Sequence, residues 1–193
     1  VSWPKQSQQY KIWQFGMATF PIHGTGKQQI TMDYNFYYTQ RGADSKGVTP
    51  DQSAADSEQV YQTYNDMFNA TFNGNRAPLV LGNHFNAWNN NAYEDALTKF
   101  VLEKCGQPDV QCVPFRDVLA WMSVQDPDRL AQLQAQALHG QAFANQAARC
   151  VAAGLGVETQ DLPEKFGQSG RIAGLGDEFD GAEGARMAGV FVV

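Results

Sequence analysis

His84 stands alone at the end of the apolar run LVLGN, with Asn83 before it and Asn86, Trp88, Asn89, Asn90 and Asn91 close behind. An imidazole starts from a pKa of ~6.5, so a neighbouring carboxylate is enough to make it a proton donor or acceptor at neutral pH. The alternative is a structural histidine whose ring nitrogens bond to loop backbone. The carboxylate in view is Asp33, in the segment QITMDYNFYY, with Tyr34 and Asn35 directly after it. Asp33 also has a plain structural use, accepting nearby N–H groups in a turn. The amides of Asn83 and Asn86 and the flat face of Trp88 make the mixture expected where sugar hydroxyls and ring faces are bound, and Tyr34 and Asn35 extend it. Asn90 and Asn91 fit better as turn formers ahead of the helical pattern AYEDAL. His84 and Asp33 are therefore the catalytic candidates, and Asn83, Asn86, Trp88, Tyr34 and Asn35 the candidates for substrate binding.

Side chains so far apart in the chain need a scaffold, and the pattern of elements supplies one. LVLGN reads as a short strand buried on both faces, and QITM leads to a similar end, where loops are free to carry function above a rigid base. Tyr10 to Phe20 alternates apolar and aromatic residues and reads as a strand ending at Pro21, followed by the glycine-rich turn HGTGK. That turn is no phosphate loop, because Lys27 is followed by Gln28 where a Ser or Thr is required. Ile30 to Tyr38, β-branched and aromatic, reads as a second strand or its exit loop.

A polar loop follows, and from Ser53 the residues Val60, Tyr64, Met67, Phe68 and Phe72 recur at helical spacing up to NGN. Tyr93, Ala96, Leu97, Phe100 and Val101 mark another amphipathic helix that stops before Gly106. VQCVPF reads as a short strand, and RDVLAWMSV as a helix with Val118, Leu119 and Met122 inward. Trp13 and Trp121 are assigned to the core. The alternation of helix and strand implies an α/β fold with parallel strands and crossover helices over residues 1–136. The remainder, 137–193, is an Ala- and Gln-rich stretch followed by a Gly-rich one, and is read as a weakly structured tail.

Composition narrows the partners. A chain of 193 residues with 43% hydrophobic content buries a core of ordinary size, one domain plus a tail. A net charge of -6 and a pI near 4.9 leave no basic field for phosphates, so nucleic acid is not expected as a partner. No apolar run approaches the ~20 residues that cross a bilayer. VSWPKQSQQY has neither the basic nor the apolar region of a signal peptide. With Val1 at its start, the chain is read as processed or as a piece of a longer protein.

Cys105 and Cys112 close the loop CGQPDVQC, and Cys150 lies far away. The spacing is not that of paired zinc cysteines, and His23, His84 and His139 are too scattered to give a local ligand pair. The loop suits a disulfide in an oxidising compartment, or two free thiols in a reducing one.

QITMDYNFYY, followed after a helix by RAPLVLGNHFNAWNNNAYEDALTKFVLEKCGQPDVQCVPFRDVLAWM, resembles the C-terminal half of polysaccharide deacetylases of the NodB-homology type, over roughly residues 13–136. The resemblance implies half of a distorted β/α barrel and the removal of acetyl groups from sugars. It also implies a divalent metal, usually zinc, whose bound water attacks the acetyl carbonyl, with an aspartate as base and a late histidine as acid. His84 resembles that late histidine, although LVLGNH carries Gly82 two residues before it where the family motif has Leu. Asp33 resembles the family's Asp-and-aromatic motif, whose carboxylate is expected to tether an active-site arginine, with Tyr37 or Phe36 where a tryptophan is common.

RAP at Arg76 is similar to an Arg-x-Pro segment but stands in a different order, so its role is not carried over. A Thr-Phe-Asp-Asp segment and a His-x-x-x-His pair are absent, so the metal ligands are expected outside this chain and the isolated chain is expected to be inactive. The substrate implied is an acetylated polysaccharide or oligosaccharide, and the location extracellular, periplasmic or at the cell surface. The reading from another class is a carbohydrate-binding or surface module without catalysis.

Overall fold

The computed structural model describes residues 1–136; the expected tail, 137–193, lies outside the described residues. Two short antiparallel pairs come first: β1 (Lys5–Gln6) with β2 (Trp13–Gln14), and β3 (Thr19–Pro21) with β4 (Gln28–Ile30). Five helices follow among the described residues: α1 (Asp33–Arg41), α2 (Pro50–Phe72), α3 (Ala92–Lys104), α4 (Phe115–Ser123) and α5 (Pro127–Ala135). The fold is mixed α/β, and none of these helices is long and apolar enough to cross a membrane.

The long helix α2 is specified locally at its start. Thr49 accepts from the Gln52 backbone N–H while the Gln52 side chain accepts from the Thr49 N–H, with Pro50 at the first helical position. Its expected apolar face is buried at Val60, Tyr64, Met67 and Phe68. Phe72 is half-buried, with the Arg76 guanidinium 3.9 Å from its ring centroid. The face of α3 that carries Tyr93, Ala96, Leu97 and Phe100 packs into the same core, where Phe36, Tyr64 and Phe100 meet edge to face.

The segment expected as a second strand departs most from its composition. Only Gln28–Ile30 is strand; from Asp33 the chain turns into α1, which buries Asp33, Phe36 and Tyr37. Positions i, i+3 and i+4 share one helical face, and burying both rings on it outweighs the weak strand preference of aromatic side chains. Gly42, at φ 63, ends the helix with its N–H donated to the Tyr38 carbonyl.

The run expected as a doubly buried strand is buried as foreseen, at Ala77, Leu79, Val80 and Leu81. Its parallel pairing, however, is a single bridge between Met32 and Gly82, not the sheet expected. In that bridge the Gly82 N–H donates to Thr31 O at 2.9 Å, and the Asp33 N–H donates to Gly82 O at 3.1 Å. A Cβ on Gly82 would stand 2.6 Å from Met17 Sδ and 3.2 Å from Met32 Cγ, so the close crossing favours glycine.

Three further expectations are corrected. The Tyr10–Phe20 strand is split into β2 and β3, with Tyr10 and Ile12 exposed between the first pair. VQCVPF is not a named strand, because the chain enters α4 at Phe115. Trp13 is partly exposed on β2 and not core. Trp121 is half-buried and stacks on Trp3, beside a second apolar cluster that includes Val118 and Met122.

Cys105 and Cys112 are joined, with Cα atoms 5.5 Å apart, tying the end of α3 to the approach to α4. Replacing both by serine is expected to lower unfolding stability by ~2–3 kcal/mol, the loop-closure effect of so short a loop. Urea unfolding checks this, and an unchanged midpoint would show that the bridge contributes nothing.

Candidate functional site

The bridge between Met32 and Gly82 puts the next residues of both segments side by side, and those residues lead into Asp33 and His84. Asp33 is 1% exposed, at the first position of α1. Its Oδ1 lies 2.7 Å from His84 Nδ1 and accepts the Tyr34 backbone N–H at 2.7 Å, while Oδ2 accepts the His84 backbone N–H at 2.6 Å. The carboxylate therefore fixes both the loop and the ring. With the carboxylate as acceptor, Nδ1 carries the hydrogen, and Nε2 is the nitrogen left to exchange a proton with a ligand. The imidazole is 36% exposed, whereas its partner is sealed from solvent.

The two uses foreseen for Asp33 thus coincide in one residue: it accepts turn N–H groups and it holds the histidine. The expected tether to an arginine is corrected, since the partners of Asp33 are His84 and Tyr34. Arg76 instead donates to the Phe72 and Asp109 carbonyls, and Arg41 pairs with Asp56 at 2.5 Å.

Aromatic rings surround the imidazole. Trp88 lies 5.6 Å and Tyr34 6.4 Å from its centroid, and Tyr34 meets Trp88 edge-on at 5.4 Å. Tyr37, buried, stacks on Trp88 at 5.3 Å and 10° and so sets the indole plane. Tyr34 and Phe85 remain largely exposed and Trp88 half so, which leaves an apolar ledge beside His84. Of the remaining candidates, Asn86 is exposed and Asn35 half-buried. Asn83 is buried; its Oδ1 accepts the Phe85 N–H at 2.6 Å, while its Nδ2 has no hydrogen-bond partner among the described residues.

The asparagine run after Trp88 is structural. Asn89, Asn90 and Asn91 have φ of 52, 52 and 71, three consecutive left-handed residues, which Asn tolerates better than other non-glycine types. Asn89 is buried and donates to Asp56 at 2.6 Å, and its Oδ1 accepts from Ser53. Asn90 donates to the same serine and Asn91 to Asp95. The turn reading of Asn90 and Asn91 holds.

Two residues near the pair carry no signal that composition alone reveals. Tyr64, on α2, is fully buried, and burial together with the Asp33 charge pushes its phenol well above the ordinary value. Glu94, three residues after Asn91, has the spacing of a capping glutamate. Burial, then the charges of Asp33 and Asp95, raise its carboxyl above the ordinary 4.5.

A carboxyl raised in the folded state favours folding in its protonated form. That contribution is complete below the ordinary carboxyl value and is lost as pH rises through the raised one. Glu94→Gln is therefore expected to raise the thermal midpoint at pH 7 and to leave it unchanged at pH 4. Equal shifts at both pH values would contradict the assignment.

A second pair, His23 Nδ1 with Asp66 Oδ2 at 2.7 Å, is exposed and pins the β3–β4 turn to α2. It does so together with the bond from the His23 N–H to Thr63. No three His, Cys, Asp or Glu side chains come together as a metal group among the described residues. Both oxygens of Asp33 are already engaged, so the residues around His84 do not fit a metal, and no step is derived through one. Compared with protein-family models, curated proteins and solved structures, the chain matches none.

Proposed function

We propose that this chain supplies the acid half of a polysaccharide deacetylase that removes acetyl groups from amino sugars. The observation that carries the reading is the His84 ring held through Nδ1 by buried Asp33, with its other nitrogen left for a ligand. In the protonated ring, Nε2 donates its proton to the sugar nitrogen as the carbon–nitrogen bond to the acetyl group breaks, and the carboxylate of Asp33 stabilises the imidazolium. The exposed rings of Tyr34 and Phe85, beside Trp88, give a sugar ring a face to rest on. Asn83, Asn86 and Asn35 offer amides to its hydroxyls.

On this reading the segments around the Met32–Gly82 bridge are part of a β/α barrel, and the divalent metal, zinc by the resemblance, is held by residues this chain does not carry. The Cys105–Cys112 bridge supports a location outside the cytoplasm. The test is acetate release from an acetylated amino-sugar oligomer. The full-length protein is expected to release it, with loss on adding a chelator, and the 193-residue chain alone is expected to release none. Chelator-sensitive release by the chain alone would overturn the division of labour.

A second reading, glycan binding without cleavage, is favoured by the same exposed ledge. It predicts oligosaccharide binding by the full-length protein and no acetate release at all.

A further inference from the structure

Glu94 has the sequence position of a helix-capping residue but not the contacts of one. It stands three residues after Asn91, where a glutamate ordinarily folds back onto the backbone N–H of the cap. Here that N–H is donated to the Trp88 carbonyl, and the Asn91 amide goes to Asp95. The Glu94 carboxyl is instead turned inward, with Oε1 buried and without a hydrogen-bond partner among the described residues. The charges that act on it are both negative, Asp33 from α1 and Asp95 from its own helix. It lies on the Asp33 side of the pair.

We propose that Glu94 is a positioning residue for the Asp33–His84 pair: a second carboxyl whose negative charge holds the His84 ring in its protonated, proton-donating form. The chemistry is electrostatic. Asp33 alone gives the imidazolium one buried counter-charge, and a second anion within a Debye length adds to it without touching the ring.

The effect runs both ways. A proton on His84 eases the ionisation of Glu94, so the two carboxyls and the imidazole share one titration. The ionisable groups facing this cluster are Asp33, Tyr34 and Tyr37 of α1, Tyr64 of α2, and Asp95 of α3. With the tyrosines neutral at the pH of interest, Glu94 and Asp95 are the charges that can bias the pair, and Asp95 is exposed. The solvent-screened charge therefore acts more weakly than the inward one.

The experiment is an NMR titration of the His84 ring resonances in the folded protein, wild type against Glu94→Gln and Asp95→Asn. Glu94→Gln is expected to lower the His84 midpoint by ~0.5 pH unit, the order of one partly solvated charge. Asp95→Asn should move it by less than half as much. Wild-type resonances are also expected to show a second, smaller step below the main one as Glu94 ionises, a step that Glu94→Gln removes; this arm needs no variant to be seen.

An unchanged His84 midpoint in a folded Glu94→Gln protein, or a single-step wild-type titration, overturns the proposal. The inference rests on the pair's geometry and on the acid role of His84 proposed above. A shifted midpoint in a protein that never releases acetate would keep Glu94 as a bias on His84 and discard the deacetylase reading.

Discussion

Replacing His84 by alanine in the full-length protein is expected to lower turnover of an acetylated amino-sugar oligomer by ~10²–10⁴-fold, the range ordinarily lost with a general acid. The Michaelis constant should change by less than ~3-fold, because an acid that acts on the leaving nitrogen contributes mainly in the transition state. The fold should tolerate the change. The ring is partly exposed, and Asp33 keeps the backbone N–H groups of Tyr34 and residue 84 as donors after the imidazole is gone. Steady-state kinetics with a coupled acetate assay decide the matter. A loss that falls equally on binding and turnover would move His84 from acid to binding group and favour the non-catalytic reading.

Asp33→Ala should behave differently, with a penalty already visible in stability. The substitution removes the acceptor of two backbone N–H groups and of the His84 ring at a position that is 1% exposed. Buried donors left unpaired cost ~1–3 kcal/mol each, and relaxation of the exposed loop recovers part of that, so a net loss of ~2–4 kcal/mol is expected. Urea unfolding measures it directly, and a loss under ~1 kcal/mol would show that the carboxylate does not anchor the loop. The same variant should broaden the His84 ring signals, since nothing then fixes the imidazole.

The contrast between the two substitutions separates their roles. His84 is cheap for the fold and costly for the reaction, while Asp33 is costly for both. That difference follows from their positions, one at the mouth of the site and the other beneath it.

What the sequence by itself determined is local. The Thr49–Gln52 capping pair and the spacing of Val60, Tyr64, Met67 and Phe68 specify α2 without reference to any other segment. The spacing of Tyr93, Ala96, Leu97 and Phe100 does the same for α3, and the short interval between Cys105 and Cys112 allows their bond. His84 and Asp33 were legible as candidates because an imidazole and a carboxylate after apolar runs are rare enough to be noticed. Helical periodicity and short-range turn chemistry act over a few residues, so they survive in the sequence as pattern.

The tertiary structure decided what depends on packing between distant segments. Asp33–Tyr38 has the composition of a strand, yet burying Phe36 and Tyr37 against α2 and α3 makes it a helix. The parallel layer narrows to the Met32–Gly82 bridge, a pairing across 50 residues that no local preference sets. That bridge turns two candidates into one hydrogen-bonded pair. The inward turn of Glu94 is equally invisible in one dimension, because its spacing from Asn91 fits a cap and only the competing bond from Asn91 N–H to Trp88 releases it. Backbone partners are chosen by the whole fold, and the chemistry of a carboxylate at this site is set by which N–H groups and charges the fold brings to it.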